Sequence, residues 1–97
     1  MVKVHAAEIL EDFIRRHPDS KSSLALWLEI MQGSHLKHFP GLKAIFGAAY
    51  FVKPFTIFNI SGNKYRLIAV VSYSTGIVAV DRILTHQQYD RWNEKRR

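Results

Sequence analysis

From Phe55 onward the apolar residues of this chain recur at every second position, and that period calls for a sheet. FTIFNI, KYRLIAVVSY and IVAVDRIL each alternate, separated by SGN and STG. Alternation puts successive side chains on opposite faces of a strand. Connections this short join antiparallel neighbours. The second half therefore reads as a three-stranded β-meander. The opening MVKVH can add a fourth, short strand.

The first half has a different period. Ala6, Ile9, Leu10, Phe13 and Ile14 follow helical spacing, with Glu8, Glu11, Asp12 and Arg15 facing the other way. That helix is expected to end near His17, because Pro18 moves the residue before it out of the helical region. Asp19 or Ser20 can cap a second helix. Leu24, Trp27, Leu28 and Met31 form its apolar stripe, and Gly33 suits its end. Residues 34–54 are mixed, with one short helical turn expected in GLKAIF after Pro40. Thr85 and Gln88 match a capping box, so the chain turns helical again at its C-terminal end. The expected layout is β-α-α-β-β-β-α. It is an α+β fold with a small antiparallel sheet, two N-terminal helices on one face and a C-terminal helix.

At 97 residues the chain suggests one small domain spanning 1–97. It contains no cysteine, which excludes a disulfide framework and any cysteine-bound zinc, and fits a reducing cytoplasm. MVKVHAAEILEDF carries acids early and no apolar h-region, so no secretory signal is expected. The run LIAVV falls far short of the roughly 18 residues a membrane span needs. The net charge of +6 is uneven. Residues 1–48 hold six Lys/Arg and five acids, whereas 49–97 hold eight and three. A basic half attracts polyanions such as nucleic acid; the plainer reading of the same charge is solubility.

Alternation also assigns the faces. Tyr65, Leu67, Ala69, Val71 and Tyr73 share the better core face; Lys64, Arg66, Ile68, Val70 and Ser72 share the other. A strict period in the last strand groups Val78, Val80, Arg82 and Leu84 against Ile77, Ala79, Asp81 and Ile83. The sheet is thus expected to carry helices on one side and a shallow, partly basic surface on the other. In the last helix, His86, Tyr89 and Trp92 or Asn93 lie along one side. A helix packed at the sheet's open end would bring His86 and Tyr89 toward Lys64 and Arg66. An imidazole, a phenol and two cations are what metal-free RNA cleavage needs. The 2′-hydroxyl loses a proton, the phosphorane is neutralised and the leaving 5′-oxygen gains a proton. Local physics alone permits a plainer reading, with the cations on a solvated strand end and His86 in a capped first turn.

The stretch NISGNKYRLIAVVSYSTGIVAV, followed by THQQYDR, resembles the HigB family of bacterial toxins in the RelE-like superfamily. The matching elements are Gly62-Asn63, Lys64-Tyr65-Arg66-Leu67, the STG turn, and Thr85-His86 with Tyr89-Asp90. Weaker agreement runs upstream through HPD at 17–19 and LKAIF at 42–46. The resemblance implies a ribosome-dependent mRNA interferase that cuts mRNA without metal or cofactor. It also implies neutralisation by a small helix-turn-helix, HigA-like antitoxin. Carried onto this sequence, Lys64 and Arg66 would bind and polarise phosphate, while His86 and Tyr89 would move protons or orient the substrate. Arg82, Lys43 and Arg91 are further candidate phosphate contacts. The family pattern has Arg or Lys five residues before the motif histidine, where this chain has Asp81, with Arg82 one place later. A one-residue shift changes the face, so either a bulge turns Arg82 toward the site or the site has one cation fewer. The departure favours an alternative reading, a non-catalytic basic module that binds RNA or protein.

Three other signals are discounted. HPD at 17–19 is also the signature of J-domain cochaperones, but those domains are all-helical; here it serves as a helix stop. His35 and His38 have metal-ligand spacing, yet zinc needs further ligands and no cysteine is present. The tail EKRR is ordinarily a solvated charge run, with added phosphate affinity as the alternative reading.

Overall fold

In a computed structural model, which describes residues 2–96, the meander forms the centre of a five-stranded sheet. Met1 of the expected first strand and Arg97 of the basic tail lie outside the described residues. The strands are β1 (Lys3–His5), β2 (Tyr50–Val52), β3 (Phe55–Ile60), β4 (Tyr65–Ser72) and β5 (Ile77–Thr85), in spatial order β1-β5-β4-β3-β2. The helices are α1 (Glu8–Arg16), α2 (Lys21–Gln32), α3 (Phe39–Ile45) and α4 (His86–Lys95). The α+β class and the expected order of strands and helices hold, with two additions and one change of direction.

The additions come from residues 34–54. α3 is a full helix because His38 caps it, its Nδ1 accepting from the Gly41 amide at 3.1 Å. β2 is three residues long and becomes a strand by pairing with β3, Tyr50 opposite Ile57 and Val52 opposite Phe55. The change of direction is at β1, which runs parallel to β5, Lys3 opposite Ile77. The sheet is therefore mixed rather than purely antiparallel. The long helical crossover between β1 and the meander makes the parallel pairing possible.

α1, α2 and α3 cover one face. Leu10 and Phe13 of α1, Leu24, Trp27 and Met31 of α2, and Leu42 of α3 pack on Phe58, Leu67, Ala69, Val78 and Val80. The expected core face of β4 is thus correct. The junction between α1 and α2 departs in detail. Pro18–Ser20 make a short 3-10 turn, and the Ser20 hydroxyl donates to the His17 carbonyl instead of capping α2.

The opposite face is not the shallow, open surface that alternation suggested. α4 lies on it, and a second, smaller apolar layer forms there from Ile57, Ile68 and Tyr89, flanked by Tyr50, Val52, Phe55, Leu84 and Trp92. These residues come from five elements, so no single stretch displays the layer. Thr85 starts α4 as expected. Its hydroxyl accepts from the Gln88 amide at 3.2 Å, and Gln88 Oε1 accepts from the Thr85 amide at 3.0 Å.

β5 also departs from strict alternation. Ile68 pairs with Arg82 but Ala69 pairs with Val80, so Asp81 is an extra residue, a β-bulge. The bulge lets Val78, Val80 and Ile83 all face the larger core. It places Arg82 beside Leu84 on the α4 side, opposite Ile68. A regular strand would have put Arg82 on the core face with Val80, where an unpaired cation is costly. No helix among the described residues is long and apolar enough to cross a membrane.

Candidate active site

The turn before β4 and the start of α4 meet at one point. Ser61 and Gly62 both adopt positive φ, +54° and +67°, which closes the β3–β4 turn and presents Asn63. The His86 amide donates to the Lys64 carbonyl at 2.9 Å, fixing the first turn of α4 against that turn. The capping box sets the direction of the helix, and the histidine follows it.

Arg66 is the centre of the cluster. It is charged yet only 7% exposed, on the α4 side of β4. Its Nη1 donates to the carbonyls of Asn63 and Tyr65, at 3.1 and 3.2 Å. Its Nη2 donates to Asn63 Oδ1 at 3.3 Å and lies 3.4 Å from His86 Nδ1. The guanidinium sits over the Tyr89 ring, 5.8 Å from its centroid. Its Nε is buried without a partner. Carbonyl dipoles and a ring face hold this cation; no carboxylate neutralises it by contact among the described residues. A cation held this way keeps its charge available for an anion.

His86 is half exposed and is held at both nitrogens. Nδ1 lies 3.1 Å from the Asn63 carbonyl, which can only accept, so this nitrogen carries a proton. Arg66 Nη2 is then a neighbouring cation, not a donor to it. In the neutral ring the lone pair is on Nε2, which points toward Asp90 Oδ2 at 3.4 Å and the solvent. Asn63 therefore holds both key groups: its carbonyl takes Arg66 and His86, and its side chain takes Arg66. Sequence reading named Asn63 only as a turn residue; its place in the family motif, next to Lys64, was the available signal.

Tyr89 is placed beside Arg66 but is only 6% exposed. Its hydroxyl is buried with no well-formed hydrogen bond, and its ring centroid lies 6.3 Å from that of Tyr50. Burial, with Tyr50 adding to it, pushes the phenol well above its ordinary range. Its ring is the wall against which the Arg66 guanidinium packs.

The remaining candidates lie elsewhere. The Lys64 backbone is in the cluster, but its side chain reaches Asp19 Oδ2 at 2.8 Å. Asp19 Oδ1 accepts from the Tyr65 hydroxyl at 2.7 Å, and Tyr65 packs against Phe13 and His17. Lys64 therefore turns away from Arg66, although alternation grouped the two. The pair with Lys64, and then the Tyr65 bond, hold the Asp19 carboxyl below the usual aspartate range. Asp19 in turn raises both Lys64 and Tyr65. Asp19 of HPD is thus a tie between the helix junction and β4. Arg82 is on the α4 side, its guanidinium 5.8 Å from the Trp92 ring centroid and ion-paired with Asp81. Lys43 donates to the Ala49 carbonyl at 2.6 Å beside α3, and Arg91 is exposed on α4. Among the described residues no group of three or more His, Cys, Asp or Glu could hold a metal ion.

Comparison with known proteins points the same way as the motif. Residues 20–92 match the family model of HigB toxins, described as the RelE-like toxic component of a toxin-antitoxin system. An Escherichia coli K12 protein named mRNA interferase toxin HigB is 27% identical over 85 residues, covering 84% of this chain and 81% of that one. Proteins named mRNA interferase HigB from Escherichia coli O157:H7 and Shigella flexneri match to the same extent. The matched span runs from the end of the α1–α2 junction through Trp92 and includes Asn63, Arg66, His86 and Tyr89. With about three quarters of its length inside that model, this chain belongs to the HigB family of RelE-like toxins.

Proposed function

We propose that this chain is a toxin that cuts mRNA on the ribosome, by a metal-free attack of the 2′-hydroxyl on the adjacent phosphate. The observation that carries the reading is the buried Arg66 guanidinium 3.4 Å from His86, at a solvent-accessible corner of a basic protein. Family membership and the mRNA interferase names of the relatives support it. In this reading His86 Nε2 takes the 2′-hydroxyl proton, and Arg66 neutralises the charge that builds on the phosphorane. The 2′-oxygen bonds to phosphorus and the O5′–P bond breaks; the 5′-oxygen takes a proton from water, His86 gives its own up to solvent, and a 2′,3′-cyclic phosphate remains. Asn63 orients His86 and Arg66, and Tyr89 supports Arg66 from below. Arg82 is a second phosphate contact. Lys64 contributes only when RNA draws it from Asp19, and Lys43 and Arg91 are outer contacts. A HigA-like helix-turn-helix antitoxin neutralises the toxin.

A second reading is a non-catalytic RNA- or protein-binding module. The observation favouring it is Asp90 Oδ2, 3.4 Å from His86 Nε2, where a substrate hydroxyl must approach. Growth of bacteria induced to make the chain alone separates the two. The enzyme reading expects arrest and new in-frame mRNA ends, both lost in His86→Ala. Arrest with intact mRNA would support the binding module.

A further inference from the structure

Beyond the cluster, cations and rings alternate along the α4 side of the sheet. Arg66 lies over Tyr89, and Tyr89 and Trp92 are neighbours at 5.8 Å. Arg82 then lies over Trp92 at 5.8 Å. Arg96 sits between Trp92 and Phe55, its guanidinium carbon 4.7 and 4.9 Å from the two ring centroids. Stacking fixes the plane of the Arg96 guanidinium and leaves its edge for hydrogen bonds. One donor goes to the Lys53 carbonyl at 2.8 Å, and the residue as a whole is exposed. Arg82 is 47% exposed, and its ion pair with Asp81 is open to solvent, so exchange for a phosphate costs little. Trp92 is partly exposed between the two arginines. The α4 helix is 10 residues long, about 15 Å at 1.5 Å per residue, a span of a few nucleotides.

We propose that Arg82, Trp92 and Arg96 form a track for single-stranded RNA that continues the His86–Arg66 site along α4. The two arginines hold successive phosphates and Trp92 stacks on a base. The proposal rests on the RNA-cleaving reading and deepens it: the site takes an extended strand, not an isolated dinucleotide. Single-strand binding proteins combine such cations and ring faces, because every base offers a face and every nucleotide a phosphate.

The test is the affinity of the full chain for a labelled oligouridine long enough to run the length of α4, and for a uridine dinucleotide, over a series of salt concentrations. Arg82→Gln with Arg96→Gln is expected to weaken only the longer RNA, and to make its salt dependence shallower by about 1.4, two contacts at about 0.7 each. Trp92→Leu is expected to weaken the longer RNA roughly 5- to 160-fold, the range for one stacked base. Arg96 also pins α4 to the turn before β3, so Arg82→Gln alone, at an exposed position, keeps the test independent of folding. Equal losses on both RNAs, or an unchanged salt dependence, would overturn the track. Wild-type chain that cuts mRNA in a translating extract while the track variants cut it equally well overturns the track alone. Wild-type chain that neither binds the RNAs nor cuts mRNA overturns the track and the RNA reading together.

Discussion

In the proposed mechanism the chemistry depends on Arg66, because burial and three hydrogen bonds, to the Asn63 and Tyr65 carbonyls and the Asn63 side chain, fix it where a phosphate would arrive. Removing one preorganised donor of this kind typically lowers turnover by about 10²–10³-fold. Arg66→Ala is expected to lose at least that much in mRNA cleavage rate. Arg66→Lys is expected to recover little, since an ammonium cannot span Asn63 and the substrate together. Tyr89 gives the opposite expectation. Its hydroxyl makes no well-formed hydrogen bond, so Tyr89→Phe should keep stability and cleavage within a few-fold. Tyr89→Ala should cost about 3–5 kcal/mol in denaturant unfolding. A large loss of activity in Tyr89→Phe would restore the phenol as a proton donor. Asp19 carries a pH dependence. Its carboxyl is depressed by Lys64 and Tyr65, so its stabilisation is present above the ordinary aspartate value of 3.8. That stabilisation is lost as pH falls through the lowered native value. Asp19→Asn should therefore flatten this part of the acid unfolding profile; an unchanged profile would show that the tie contributes nothing. None of the Asp19 contacts was legible in the sequence, because they join residues 45 and 46 positions apart.

At the scale of elements, what the sequence displayed was what local physics decides. The period of two in β3, β4 and β5, the stop at Pro18 and the capping box at Thr85 each lie within a few residues. β2 was not legible, since a three-residue strand exists only through its partner, and the bulge was legible only as one of two readings, since it exists through a register. Sequence posed the choice at Asp81 and Arg82, and pairing with β4 resolves it in favour of Arg82 on the α4 side. Arg82→Ala is expected to lower cleavage roughly 10-fold, the weight of one charge-assisted contact. Adding Asp81→Arg should not restore it, because position 81 is the extra residue of the bulge. Recovery in that double variant, measured by toxin titration in a translating extract, would show that position 81 reaches the substrate. Thr85→Ala should cost about 1 kcal/mol of stability through the lost cap. It should also lower turnover, since the cap directs His86.

At the scale of the molecule, one sheet separates two unequal apolar layers. The larger binds α1, α2 and α3; the smaller binds α4 alone. The smaller layer holds the helix that carries His86, so α4 is expected to open before the sheet does. Amide exchange should show α4 protected less than β4, and Trp92→Ala should lower α4 protection further while leaving β4 unchanged. Exchange of α4 only together with β4 would mean that the two layers unfold as one. The arrangement places the candidate site at the edge of the smaller layer, on a helix whose start is fixed by its cap and by the Lys64 carbonyl. The most direct test of the account is the map of mRNA 5′ ends in cells making the wild-type chain, His86→Ala or Arg66→Ala at equal protein levels. The account predicts in-frame cuts for the wild type and their disappearance in both variants, with each variant still folded by circular dichroism. Cuts that persist at wild-type frequency in a folded Arg66→Ala variant would contradict it.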